Sequence, residues 1–338
     1  MTAWKDGHHT QMKKQEEPIE KITVHYICEE MVEPIGQVLM NGTRMTNYLI
    51  SKCLEDSEYE LVVKNTNEFQ TTEEVEEFLQ EGDISWVDDT SLLQQLFSAG
   101  CDRPNIVGPK ALSPVKNYNN GTLNTIYSLD WFYGGKVIRL NDNEERAGEL
   151  KTEIDNKVDW VAKTDFIRHG IDLDVEVLGG EKKYILWAGE AGVPVKNFKF
   201  FNEVKHAIRM MGGLPDKYEF RQMSGYWLKD FYDVLEETRV YVCTSMKESF
   251  GIAVNEARAR GVPTIVKPFL NGNYVGTKQP LQVGYTPVEF ARKIREICLN
   301  DNLYHEESNK ARDYVEDNCT LEQMRDDIVN VFDEVAYE

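Results

Sequence analysis

The side chains best placed for chemistry in this 338-residue sequence lie in residues 239–266, RVYVCTSMKESFGIAVNEARARGVPTIV. An apolar strand over 239–244 runs into the turn Ser245-Met246-Lys247-Glu248. Ser249-Phe250-Gly251 then opens an amphipathic helix, 252–260, which Gly261-Val262-Pro263 ends before the next strand. Backbone N–H groups at a helix start lack intrahelical partners and sit at the positive end of the helix dipole. Such a start is a seat for an anion such as a diphosphate. Glu248 precedes the helix, and Glu256 is expected about two turns inside it. That spacing can put one carboxylate at the seat and the other along the ligand. A carboxylate accepts hydrogen bonds from two hydroxyls, which suits the diols of a sugar.

The rest of the chain must position that turn. Strands are expected at 21–28, 60–65, 83–87 and 105–108, alternating with helices at 45–54, 71–81 and 91–99. Residues 109–121, rich in proline and asparagine, read as loop. Further strands at 122–128 and 136–140, a helix at 144–154, and short strands at 160–162 and 165–168 lead to His169-Gly170-Ile171-Asp172. A second alternation starts with KYILWAG at 183 and continues with a helix at 198–211 and a strand at 217–222. Then come a helix at 228–236, the strand–helix–strand stretch already described, and helices at 287–299 and, with interruptions, 304–337. Strands alternating with helices of this length wind parallel sheets. Two such blocks, hinged near 170–182, predict a two-domain α/β protein with a cleft between the domains.

Composition narrows the classes. Apolar residues make up 41% and charged residues 28%, which excludes a disordered tail, a collagen-like fibre and a disulfide miniprotein. No apolar run approaches the ~18 residues of a membrane-spanning helix. Residues 1–20 are polar and of mixed charge, unlike a secretory signal. A soluble cytoplasmic chain with a flexible leader is expected. Cys28, Cys53, Cys101, Cys243, Cys298 and Cys319 are too widely spaced for a CxxC or zinc-knuckle pattern, so reduced buried thiols are expected. The first 177 residues hold 17 basic against 33 acidic side chains. That excess repels phosphate backbones and disfavours DNA, RNA or an anionic membrane as partner.

Residues 248–263 closely resemble the signature of retaining, nucleotide-sugar-dependent glycosyltransferases of group 1, or family 4-like. Their pattern E-x-F-G-x-x-x-x-E-A-x-A-x-G-x-P stands here as Glu248-Ser249-Phe250-Gly251, Glu256-Ala257, Ala259 and Gly261-Val262-Pro263. The resemblance implies the GT-B architecture, two facing Rossmann-like domains. Residues 21–175 would be the acceptor-binding domain and 176–320 the nucleotide-sugar-binding domain, with a C-terminal helix, 321–338, packing back toward the first. It further implies that Glu248 holds hydroxyls of the donor sugar and Glu256 the ribose diol. Lys196 matches the family's lysine at the donor diphosphate, after Trp187-Ala188-Gly189-Glu190. Glu190 departs from the pattern, because many relatives have a second phosphate-binding arginine there. Asn41-Gly42-Thr43 resembles the glycine loop of the first domain, which would bring Gly42 to the phosphates.

The amides of Ser249, Phe250 and Gly251 would complete the phosphate seat, while Ser245, with Met223-Ser224-Gly225, would line the nucleoside pocket. His169-Gly170-Ile171-Asp172 resembles the turn where relatives pass between domains. The first-domain histidine found near the sugar in relatives has no counterpart at 126–131, where Asp130 stands nearest. No Asp-x-Asp motif is expected in the chain and the histidines show no metal-ligand spacing, so neither a divalent metal nor a cofactor is expected.

The expected activity is transfer of a hexose-type sugar from a nucleotide diphosphate to a hydroxyl of a glycan, lipid-linked or small-molecule acceptor. The configuration at the sugar would be retained by front-face attack. Two alternatives remain: a phage-type glucosyltransferase acting on hydroxymethylated DNA bases, and a non-catalytic nucleotide-sugar-binding subunit.

Overall fold

The computed structural model describes residues 21–28, 42–102, 104–108, 137–141, 162–167, 169–173, 180–225, 228–246, 251–267 and 285–337. The first block runs β1 (Ile22–Cys28), α1 (Gly42–Leu54), β2 (Tyr59–Asn65), α2 (Thr72–Glu81), β3 (Ile84–Asp88), α3 (Thr90–Ala99), β4 (Ile106–Val107), β5 (Val137–Asn141) and β6 (Ala162–Phe166). Its strands form one parallel sheet in the order β2-β1-β3-β4-β5-β6. The second block runs β7 (Tyr184–Ala188), α4 (Phe198–Met210), β8 (Glu219–Met223), α5 (Leu228–Glu236), β9 (Thr238–Cys243), α6 (Ile252–Ala259) and β10 (Thr264–Val266). These strands are also parallel, in the order β10-β9-β7-β8. Helices α7 (Pro287–Leu299), α8 (Asp301–Asn318) and α9 (Leu321–Tyr337) follow.

Local chemistry explains the boundaries. Central strands covered on both faces must be apolar throughout, and β3 and β9 are buried at every position. Thr71 caps α2 by accepting from Glu74 N at 3.3 Å, and Glu73 and Glu74 meet the positive end of its dipole. Thr286 and Glu289 form a capping box ahead of α7, with Pro287 in the first turn, where its missing N–H costs nothing.

Four expectations need adjusting. The two short strands around 160–168 are one strand, β6, over the described residues. Helix α1 begins at Gly42 itself, not three residues later, so Gly42 stands in the helix and not in a loop before it. The strand expected at 217–222 is β8, shifted toward its C-terminal end. The interrupted C-terminal helix is two helices broken at Cys319-Thr320. The expected strand at 122–128 and helix at 144–154 lie outside the described residues.

Each sheet has its own core, but α9 belongs to the first. Met324, Ile328, Val331 and Phe332 pack with Val24, Tyr26, Tyr59 and Trp86. The backbone therefore crosses between the two units twice, and the crossings touch. Ile171 N donates to Cys319 O at 2.8 Å, and Ile171 bridges Thr320 in parallel. Gly170 permits this approach, since a Cβ there would stand 2.8 Å from Leu321 Cα and 2.9 Å from Thr320 O. Leu228, Tyr232 and Ile252 of the second block also pack on the first core.

Candidate functional site

In the second sheet the strand order reverses at β7: the chain leaves it for β8 on one side and returns to β9 on the other. Ligands of open α/β sheets bind outside the carboxyl ends of the strands at such a reversal. Two segments meet there, Gly189 to Asn197 after β7 and Thr244 to Met246 after β9. Thr244, fully buried, ties them together. Its hydroxyl accepts from Trp187 Nε1 at 2.9 Å and donates to Lys196 O at 2.9 Å, with Asn197 O at 3.2 Å. Met246 N donates to Val195 O at 2.8 Å as a second tie.

The backbone of Lys196 is thereby fixed two residues before the start of α4, and its aliphatic stem lies beside Gly189, Cγ 3.6 Å from where a Cβ would stand. Asn197 holds the left-handed conformation at φ 52°, ψ 49°, which asparagine tolerates better than most residues. Thr244→Val is expected to destabilise the fold by about 1–3 kcal/mol, because it leaves the buried Trp187 N–H without an acceptor. Urea denaturation measures this, and a loss under about 0.5 kcal/mol would show that the tie contributes little.

Gly251 stands at the N-cap of α6 with φ 78° and no side-chain cap. Its carbonyl accepts from Val254 N at 2.9 Å and Asn255 N at 3.1 Å. The positive φ favours glycine there, and its lack of a side chain leaves the helix start unobstructed. Ser245 is buried at the end of β9. These ties bring Lys196 and Ser245 to the same end of the second sheet, and Gly251 opens α6. Glu248, Ser249 and Phe250 lie outside the described residues, as does Asp130. Met223 ends β8, where its carbonyl accepts from Gly189 N at 3.0 Å.

Glu256 stands about one turn into α6, not two, and is wholly buried. Arg260 Nη1 donates to its Oε2 at 2.8 Å and to its backbone carbonyl at 3.2 Å. The Arg260 guanidinium lies 3.5 Å from the centre of the Tyr232 ring. Burial pushes the Glu256 carboxyl above the usual carboxylate range, and Arg260 pulls it back. Tyr232 is near enough to pull in the same direction, yet Oε1 has no hydrogen bond of proper geometry among the described residues. Asp172, at the chain crossing, opposes ionisation of Glu256 and is itself paired with Lys52 of α1. Burial is also the main cause that raises the Tyr232 phenol, with Glu256 next. Tyr48, also on α1, has a half-buried phenol pushed up by burial and by Asp172, and pulled down by Lys52. One polar cluster thus joins α1, the crossing, α5 and α6.

Sequence reasoning missed Thr244, Tyr232, Tyr48, Lys52 and Arg260. Only Arg260 left a signal, standing four residues after Glu256 on one helix face. Gly42 opens α1, the helix that carries Tyr48 and Lys52 into the cluster. Against the expectation, an Asp-x-Asp triplet does occur in the sequence, Asp172-Leu173-Asp174; Asp172 is paired to Lys52 and Asp174 lies outside the described residues. Among the described residues no three of His, Cys, Asp and Glu group as a metal site. Nor is any helix there long and apolar enough to cross a membrane.

Residues 213–314 match the family model described as glycosyl transferases group 1. No curated protein matches the chain in sequence. Several solved structures share the fold. An alpha,alpha-trehalose-phosphate synthase (UDP-forming) from Burkholderia vietnamiensis superposes with TM-score 0.64 at 10% identity, over 94% of this chain and 100% of its own. Anabaena HepE, solved with UDP and glucose, gives 0.62 at 12% identity, over 93% and 100%. TarM, known from S. aureus, gives 0.56 at 15% identity over 77% of this chain, which spans 57% of the length of TarM.

Proposed function

The chain is a GT-B protein, with two Rossmann-like domains and a glycosyl transferases group 1 segment over 213–314, and on that premise we propose that it transfers a hexose-type sugar from a nucleoside diphosphate to a hydroxyl acceptor. One observation supports the reading: Thr244 ties the Lys196 backbone to the end of β9 at the reversal point of the second sheet, and the helix after that strand starts uncapped at Gly251 with an acid one turn inside it.

As the glycosidic bond breaks, negative charge grows on the departing diphosphate and positive charge on the sugar. The groups that lower the barrier are those that meet the diphosphate more strongly in that state than before it. Lys196 and the amides at 249–251 supply positive charge there, and Gly42 lets the first domain approach the phosphates. Glu248 holds the hydroxyls of the sugar and Glu256 those of the ribose, each as a twofold acceptor. With no carboxylate assigned as nucleophile, the acceptor attacks on the face the diphosphate leaves, and the anomeric configuration is retained. No step calls for a divalent metal. Glu256 has no exposed surface, so the donor reaches it by parting the groups around Tyr232 and α1 at the domain junction. The uridine diphosphate bound in HepE motivates UDP as the first nucleotide to try.

Steady-state kinetics on two variants tests these roles. Glu248→Ala is expected to lower kcat about a hundredfold or more, as loss of a group acting in the transition state does. Glu256→Ala is expected to weaken nucleotide binding roughly tenfold to a hundredfold, the worth of charge-assisted hydrogen bonds, with a smaller change in kcat. Unchanged rates and affinities in both would refute the assignment. Release of nucleoside diphosphate by the purified protein separates an enzyme from a binding subunit, which would release none.

A further inference from the structure

Glu256 is a buried acid with one oxygen satisfied and the other open. Oε2 takes the Arg260 hydrogen bond, whereas Oε1, without solvent contact, has no hydrogen bond of proper geometry among the described residues, the Tyr232 hydroxyl being a nearby donor. A carboxylate held out of water without counter-charge takes up a proton, and the protonated group is a weaker acceptor for hydroxyls. Arg260 is itself 5% exposed and is held from two sides, by the Tyr232 ring beneath it and by the Glu256 carbonyl. Arg258, two residues earlier, is engaged elsewhere: it donates to Thr264 Oγ1 at 2.8 Å and to Asn255 Oδ1 at 3.2 Å, and lies over Tyr314. The other groups facing Glu256 are Tyr232 from α5 and Asp172 from the crossing, with Lys52 and Tyr48 of α1 behind Asp172. Lys52 is spent on Asp172, so among the described residues Arg260 is the cation in contact with Glu256.

We infer that Arg260 is a positioning residue for the donor: it fixes the Glu256 carboxylate through Oε2 and favours its ionised form, leaving Oε1 to the hydroxyls of the nucleoside. This rests on the reading of Glu256 given above, and the experiment separates the two. A purely structural arginine would stabilise the fold without making nucleotide affinity depend on pH. A positioning arginine makes the affinity of its neutral replacement depend on pH, because Glu256 then titrates in the accessible range.

The test is calorimetric titration of the full chain with UDP, ADP and GDP in turn, from about pH 6.5 to about pH 9.5. Wild type, Glu256→Gln, Arg260→Gln and Arg260→Lys are compared at each pH, with circular dichroism to confirm folding. Arg260→Gln is expected to bind at least about tenfold more weakly than wild type at the acid end, and the deficit to shrink at least about threefold at the alkaline end. Arg260→Lys, which keeps the charge, should stay within about threefold of wild type at neutral pH. Glu256→Gln should bind more weakly by a factor that does not change with pH.

Arg260→Gln equal to wild type, or weakened by one constant factor, overturns the inference while a weakened Glu256→Gln preserves the donor reading. Wild-type affinity in Glu256→Gln, or no binding of any of the three nucleotides to wild type, overturns both. If Arg260→Gln does not fold, Arg260→Lys decides: near-wild-type binding sustains the inference, and a tenfold loss independent of pH overturns it.

Discussion

Phe332→Ala is expected to cost about 3–5 kcal/mol and to lower the melting temperature of the first domain by roughly 6–20 °C. Phe332 lies on the last helix, far in sequence from the sheet it covers, yet it has no exposed surface. Its ring meets the edges of Tyr59 at 4.9 Å and Trp86 at 5.8 Å between centroids. Tyr59 OH donates to Asp333 Oδ1 at 2.5 Å beside it. Truncation to alanine removes the buried ring from water-free contact and leaves a cavity between rigid strands that cannot collapse into it. Set against a usual domain stability of about 5–15 kcal/mol, that loss is a large fraction. Removing residues 321–338 altogether takes away Met324, Ile328 and Val331 as well, and should leave the first domain unfolded while the second keeps a cooperative transition. Scanning calorimetry measures both, and an unchanged first-domain transition in the shortened chain would show that α9 is dispensable.

Lys196→Ala should lower kcat for sugar transfer about a hundredfold to a thousandfold, the usual effect of losing one preorganised charge or donor at a developing anion. On the proposed role the effect is large because the backbone that carries Lys196 is already fixed by Thr244 and Met246, so the side chain works from a set position. Glu190, where an arginine would be a second cation, removes one source of compensation. Arginine at 196 should recover part of the rate, because charge survives while position changes. Initial rates at saturating donor give the number, and a loss under about tenfold would assign the leaving-group charge to another residue.

The alternation of strands and helices was legible because β-branched runs such as KITVHYIC and RVYVCT carry their own signal. Helices α5 and α7 were read to the residue. Gly42 as a helix residue was not, since glycine normally argues for a turn. The break at Cys319-Thr320 was blurred because Thr320 can cap as well as continue a helix. Within the site, the residues in register along one helix were visible. Thr244, Tyr232, Tyr48 and Lys52 were not, because they act only through neighbours brought from distant parts of the chain. Nothing in the sequence distinguishes a threonine that ties two loops from one that merely ends a strand.

The double crossing at Ile171 and Thr320 bears on how the molecule is made. During synthesis every strand of the second sheet, and α7 and α8 behind it, leaves the ribosome before α9 does. The second domain therefore has all its partners while the first still lacks a wall of its core; the Tyr59–Asp333 contact alone spans 274 positions. Closing so long a loop is slow relative to the local pairing of successive strands and helices. The earlier-synthesised domain is thus the later one to mature, and in the interval it shows Tyr59 and Trp86 to chaperones and to other chains.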